Sequence, residues 1–269
     1  MQQAATPPPI VVRTRGLGLD GPRGPVFDGV DLDVTAGTLA VLAGPAGTGR
    51  TSLLLALAGR MVPDRGEAEV AGHRLPRGRG AVQQQVALAA VRGVNDLDGE
   101  LTVEEHVLER LALTSPWWRL LTPSAGAVPA ALATVDDGDR PGLAPDVLVR
   151  DLDAYDRFRL GVALALTDRR HRPVTVLVAD DVDDRRDPQA VAAAWHLLAR
   201  LAGSDGEHVP GGLTVLASCS APSSIPADVR ASAGTVVHPM VRPGPAPAPA
   251  GAPAPRASAA AAPLKEAVR

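Results

Sequence analysis

The chain is poor in the residues that usually anchor or staple a fold. Only 2% of its 269 residues are aromatic, so a core must be packed from alanine, valine and leucine, through many small contacts. One cysteine, Cys219, excludes a disulfide within the chain and fits a reducing compartment. No apolar run approaches the roughly 18 residues that span a bilayer. Met1 to Pro9 has no basic stretch followed by an apolar one, so no signal peptide is expected either. A net charge of −3 and a pI near 6.1 exclude the broad basic face of a general nucleic-acid binder.

What the chain does have is enough apolar sequence for a large core: 45% hydrophobic against 21% charged residues, which suits one globular α/β domain plus a tail. The stretch around which it is organised is Gly44-Pro45-Ala46-Gly47-Thr48-Gly49-Arg50-Thr51-Ser52. It follows the apolar run 39–43 and precedes the apolar run 53–58, which predicts a strand, a glycine-rich turn and a helix. The spacing is that of a phosphate-binding P-loop, with Arg50 where the motif asks for lysine. Glycines allow successive N–H groups to face phosphate oxygens, and the helix that begins there adds its positive end. Arg50 keeps the charge on a longer, planar head, and Thr51 supplies the hydroxyl that a P-loop turns toward Mg²⁺. The bland alternative is a turn that merely joins a strand to a helix.

Around this stretch, 10–13 reads as a first strand, 16–25 as a loop, and 30–34 as a half-exposed strand. A helix over 50–60, a turn at 63–66, an alternating strand at 67–71 and an apolar strand at 86–91 follow. The pattern is helical from about 101 to 170, opening with Thr102 and Glu105 at the spacing of a capping box and Val103, Val107, Leu108 and Leu111 on one face. It is broken at 116–126, continues in a short helix at 127–135, and ends in a longer helix at 154–170 with basic side chains on one side. Strands at 174–179, 213–217 and 235–237 alternate with a helix at 189–202, which predicts a parallel sheet covered on both faces. Residues 1–9 read as a loose leader and 240–269, rich in Ala and Pro, as a disordered tail.

The strand at 174–179 runs into Asp180-Asp181, about 130 residues after the P-loop. A carboxylate at the end of a central strand points into the crevice where open α/β sheets bind ligands, and can hold Mg²⁺ between phosphates. The second can orient or deprotonate an attacking water. The plainer alternative is an acidic cap on a loop, since Asp183, Asp184 and Asp187 follow and read as a solvated mixture of charges.

With these motifs in place, residues 10 to 238 resemble the ATP-binding subunit of ABC transporters. The resemblance is carried by the P-loop, the stretch Leu53 to Gly72, Leu101-Thr102-Val103-Glu104-Glu105, the helix Leu152 to Leu166, and Asp180-Asp181 followed by Asp187-Pro188. It implies a P-loop fold with a RecA-like, mostly parallel sheet, an antiparallel side sheet and an inserted helical subdomain at about 101–170. It also implies ATP and Mg²⁺ as ligands, with residues 44–52 on the nucleotide, Thr51 and Asp180 on the metal and Asp181 on the water. Transmembrane transporter subunits and a second ATP-binding subunit, identical or not, would be the partners, and the inner face of the cell membrane the location. A non-hydrolysing nucleotide sensor or scaffold is the alternative, and a relic that binds no nucleotide a third.

Several family positions are altered. Leu152-Asp153-Ala154-Tyr155-Asp156 stands where the family has Leu-Ser-Gly-Gly-Gln, so two carboxylates and a ring are expected to repel phosphate and block backbone approach. The family glutamine expected near Arg92-Gly93 is absent, and Gln83, Gln84 and Gln85 fall too early. Cys219 replaces the switch histidine, Asp181 a glutamate, and no aromatic lies near Leu19, Phe27 being the nearest ring. A low ATPase rate is the expectation. Trp117 and Trp118 suit either a docking surface or partial burial, and Arg169, Arg170 and Arg172 either phosphate or a basic helix end. The six histidines show no metal-ligand spacing, so no metal beyond Mg²⁺ is expected.

Overall fold

Four short runs of small apolar residues are buried along their whole length, and they form the centre of the molecule: β3 (Leu39–Ala43), β6 (Val86–Ala89), β7 (Val176–Ala179) and β8 (Thr214–Cys219). With the half-exposed β9 (Thr235–Pro239) they make a five-stranded parallel sheet in the order β6-β7-β8-β3-β9. The computed structural model describes residues 8–114, 126–138, 140–167, 174–204 and 212–244. The expected leader through residue 7, Trp117 and Trp118, the arginines at 169, 170 and 172, and the tail beyond 244 lie outside them.

Alternation along the strands divides the interior into two cores. Leu39, Val41 and Ala43 of β3 with Leu177 and Ala179 of β7 face one; Ala40, Leu42, Val176 and Val178 face the other. On the second side lie α1 (Arg50–Leu57) and an antiparallel sheet in the order β2-β1-β4-β5, formed by β1 (Ile10–Gly21), β2 (Gly24–Thr35), β4 (Arg65–Val70) and β5 (His73–Leu75). On the first side lie α3 (Val103–Thr114), α4 (Ala127–Ala133), α5 (Ala154–Leu166) and α6 (Pro188–Leu201). A short α2 (Arg79–Gln85) leads into β6, and α7 (Ala227–Ala231) precedes β9.

The capping box forms as expected: Glu105 N donates to Thr102 Oγ1 (3.2 Å) and Thr102 N to Glu105 Oε2 (2.7 Å). Val103, Val107 and Leu111 are buried along one face of α3. Asp187 caps α6 by accepting from Gln189 N (2.9 Å), with Pro188 in the first turn.

Other expectations are corrected. Residues 16–25 are not a loop: β1 and β2 pair across them down to Gly21 opposite Gly24, with register shifts at the glycine-rich part that absorb the irregular sequence. β5 and α2 were not foreseen, α2 because Arg79–Gln85 is mostly polar and follows a glycine-rich turn. Nor are the basic side chains of α5 gathered on one side: Arg157 is exposed and Arg159 faces the core. Arg159 is fully buried, where it donates to the carbonyls of Val135 and Pro141 and pairs with Asp156 (3.0 Å) and Asp136 (3.3 Å).

Candidate functional site

β3 delivers the chain to the C-terminal edge of the parallel sheet, where Gly44 N donates to Cys219 O (3.1 Å) at the end of neighbouring β8. The loop that follows needs its glycines. Gly47 and Gly49 have φ of +82° and +81°, and a Cβ on Gly49 would stand 2.5 Å from Val26 O. Thr48 is buried and fastens the turn by donating to Pro45 O (3.0 Å), while Pro45, Ala46 and Gly47 form an exposed crown. The first α1 bond runs from Leu53 N to Gly49 O (2.8 Å), so the N–H groups of Arg50, Thr51 and half-buried Ser52 have no carbonyl of their own helix behind them. The positive end of α1 therefore faces the loop.

The sheet brings the expected acidic pair to this loop. Thr51 Oγ1 donates to Asp180 Oδ2 at 2.6 Å, across 129 positions of sequence. Asp180 is buried at 6% exposure, and its other oxygen accepts from Ser218 Oγ on β8. Ser218 also accepts from Asp181 N (2.9 Å), so one hydroxyl orients both acids. Sequence reasoning passed over Ser218, although a serine inside the apolar run 213–217 and its continuation was the available signal.

Arg50 has 9% of its side chain exposed; its Nη2 lies 2.9 Å from Asp181 Oδ1, and its Nη1 is buried without a hydrogen-bond partner among the described residues. Asp181 adopts φ +43°, a left-handed conformation that Asp tolerates better than most residues. Partial burial and the neighbouring Asp180 raise its pKa above the ordinary carboxylate value, and Arg50 opposes the shift in part. The two substitutions, arginine for lysine and aspartate for glutamate, thus meet as an ion pair.

The residues fit a phosphate group with a divalent cation. An orphaned, buried guanidinium N–H costs energy unless something accepts from it, and a phosphate oxygen is such an acceptor. Gly44, Gly47 and Gly49 place no side chain of their own between the loop backbone and a ligand. Asp180 with Thr51 offers the hard oxygen donors that Mg²⁺ takes.

The altered positions have other occupations than expected. Tyr155 is buried and donates to Asp137 Oδ2 (2.6 Å), so its ring does not block an approach at the surface. Asp153 caps α5 through Asp156 N (2.7 Å) and pairs with Arg140 (2.8 Å), and Asp156 pairs with Arg159, so neither carboxylate stands uncompensated. Cys219 is buried, with its pKa pushed up to about 11 by burial. Gln83 donates to Gly59 O (2.6 Å), and Gln85 accepts from Thr175 (3.2 Å). After β6 the amide side chain is Asn95, which the sequence reading missed: Nδ2 donates to Leu88 O (2.9 Å) and Oδ1 accepts from Val91 N (2.8 Å). Phe27 pairs with Leu19 across the hairpin and is 1% exposed, so it offers no face for stacking. The acidic loop is less solvated than expected. Asp183 accepts from Ser220 N (2.9 Å) beyond β8, Asp184 pairs with Arg92, and Arg185 lies 4.3 Å from the Phe158 ring centre with its pKa lowered to about 10 by burial.

A family model described as ABC transporter matches residues 27–181, which include the loop and both acids. The chain belongs to the ABC transporter family. It is 34% identical over 185 residues to the aliphatic sulfonates import ATP-binding protein SsuB 1 of Nocardia farcinica, covering 65% of this chain and 74% of that protein. It is 31% identical over 183 residues to the lipoprotein-releasing system ATP-binding protein LolD of Xanthomonas euvesicatoria, covering 66% and 70%. With the cytochrome c biogenesis ATP-binding export protein CcmA of Cupriavidus pinatubonensis it shares 31% identity over 212 residues, covering 77% and 83%. Among solved structures, the ATP-binding cassette MJ1267 superposes with a TM-score of 0.64 at 16% identity, over 87% of this chain and 88% of that one. The dimeric bacterial ABC transporter cassette MJ0796 gives 0.63 at 17%, over 85% and 94%, and both likenesses speak to the fold. An ABC-type nucleotide-binding domain is thus the frame in which the loop and acids sit. Among the described residues no helix is long and apolar enough to cross a membrane.

Proposed function

We propose that this chain is the ATP-binding subunit of an ABC-type transport complex, holding ATP with Mg²⁺ on residues 44–52. The observation that carries the reading is the 2.6 Å bond between Thr51 and Asp180, which brings the glycine-rich loop and the acid at the strand end to one point. The loop N–H groups and the start of α1 would take phosphate charge, and Thr51 with Asp180 would hold the cation. Bound Mg²⁺ supplies neutralisation of the phosphate oxygens. Arg50 Nη1 would donate to phosphate, and Asp181 would receive the proton of a water. Its raised pKa suits a base, but its ion pair with Arg50 holds the carboxylate on a cation instead.

That ion pair supports slow turnover and equally favours the second reading, a subunit that binds nucleotide and shifts a docking equilibrium without hydrolysis. The names of the relatives, an import protein, a lipoprotein-releasing system protein and an export protein, support membrane-spanning transporter subunits as partners. On the same reading the subunit would sit peripherally on the inner face of the cell membrane. A second ATP-binding subunit, identical or not, would complete the assembly. Calorimetry with ATP·Mg²⁺ and phosphate release on the same sample test the proposal. Saturable binding with turnover well below the enzyme median of about 10 per second is expected. Binding with no phosphate release selects the sensor, and no melting shift at millimolar ATP·Mg²⁺ rejects both.

A further inference from the structure

Beyond β9 the chain returns across the loop. Met240 N donates to Ala43 O (2.7 Å), and Met240 is buried against Gly44 so closely that no Cβ would fit there. Two residues on, Arg242 Nη2 donates to Ala46 O (2.9 Å). Its guanidinium supplies the three atoms nearest to the open side of Gly47: Nη2, Nε and Cζ stand 3.5, 3.6 and 3.7 Å from a Cβ built on that glycine. The side chain is exposed, and no carboxylate pairs with it among the described residues. A planar guanidinium with one N–H on a carbonyl retains donors for a second acceptor.

We infer that Arg242 is a phosphate-binding residue of the cradle, brought to the crown of the loop by the segment that follows β9. The inference rests on the nucleotide reading above. The two cations at the loop are in different states. Arg50 is buried and shared with Asp181, so part of its attraction for phosphate is already engaged. Arg242 is anchored through a neutral carbonyl and keeps its whole charge at the exposed residues 45–47, where a phosphate oxygen would meet the loop. Its fork geometry suits two oxygens at once. Met240 fixes the path, because its contact with Gly44 and its bond to Ala43 hold the segment two residues short of the guanidinium.

The test is titration of the full chain with a fluorescent ATP analogue and Mg²⁺, followed by competition with inorganic tripolyphosphate, for the wild type, Arg242→Ala and Arg242→Lys. Arg242→Ala is expected to weaken both ligands about tenfold, as loss of a charge-assisted pair does, with Arg242→Lys between it and the wild type. Melting without ligand should be unchanged, since the lost contact is one exposed bond. Equal or tighter binding by Arg242→Ala overturns the assignment, tighter binding marking the guanidinium as a plug. So does a loss confined to the ATP analogue, which would place the residue on the base. A wild type that binds neither ligand sinks the nucleotide reading and this inference together, whereas wild-type affinity retained by Arg242→Ala sinks this one alone.

Discussion

The loop at 44–52 and the turn at 152–156 both depart from the family pattern, and they have used their altered residues in opposite ways. At the loop, the two substituted residues Arg50 and Asp181 meet, Thr51 meets Asp180, and a buried guanidinium N–H is left without an acceptor among the described residues. At the turn, the polar groups are paired within the domain: exposed Asp153 caps α5 and pairs with Arg140, buried Tyr155 holds Asp137, and Asp156 holds buried Arg159. A region whose polar groups satisfy each other is built for its own fold. A region that leaves a buried donor unsatisfied keeps a hydrogen bond to offer.

The contrast is broken most severely at Arg159. Arg159→Ala would leave Asp136, Asp156 and two carbonyls without their cation and open a cavity, so a loss of about 3 kcal/mol in urea unfolding is expected. Nucleotide affinity of the molecules that remain folded should stay near wild type. Gly49→Ala attacks the other region: a side chain at φ +81° directed at Val26 O should cost about 2 kcal/mol of stability. It should also weaken ATP binding more than tenfold (about 1.4 kcal/mol), which an equilibrium titration would read.

Tyr155→Phe is a milder test. Removing the hydroxyl from buried Tyr155 should lower stability by about 1.5 kcal/mol and leave binding untouched. A binding defect there would mean that the turn serves the ligand after all. Smallest is Asp181→Asn, which releases Arg50 and is expected to tighten nucleotide binding about threefold. The same variant checks a pH effect. Because folding raises the Asp181 pKa, the folded state retains a proton that the unfolded state has lost. Stability should therefore fall as pH rises from the ordinary carboxylate range through the raised value, and Asp181→Asn should flatten that slope. Urea midpoints across that window measure it.

The sequence made the cradle readable because its chemistry is local: glycines at fixed spacing, a threonine, and an acidic pair after a buried strand. It was less informative wherever partners lie far apart. Nothing near residue 242 announces that β9 leads the chain back over Gly44 and Gly47, so Arg242 was hidden at the edge of an Ala/Pro-rich stretch. Arg159 reads as one more basic side chain of its helix until the carbonyls of Val135 and Pro141 are seen to close around it. The long β1–β2 hairpin was concealed by its own glycines, which signal a loop in sequence but serve as bulges once two strands pair.

The proposed nucleotide site depends most on the loop and Asp180 acting on one ligand. It is tested most directly by the Mg²⁺ dependence of ATP affinity, measured by calorimetry for the wild type and Asp180→Asn. The wild type should bind ATP at least tenfold more tightly with Mg²⁺ than without (about 1.4 kcal/mol), and Asp180→Asn should lose that advantage. ATP binding indifferent to Mg²⁺ in the wild type, or an advantage that survives Asp180→Asn, would contradict it.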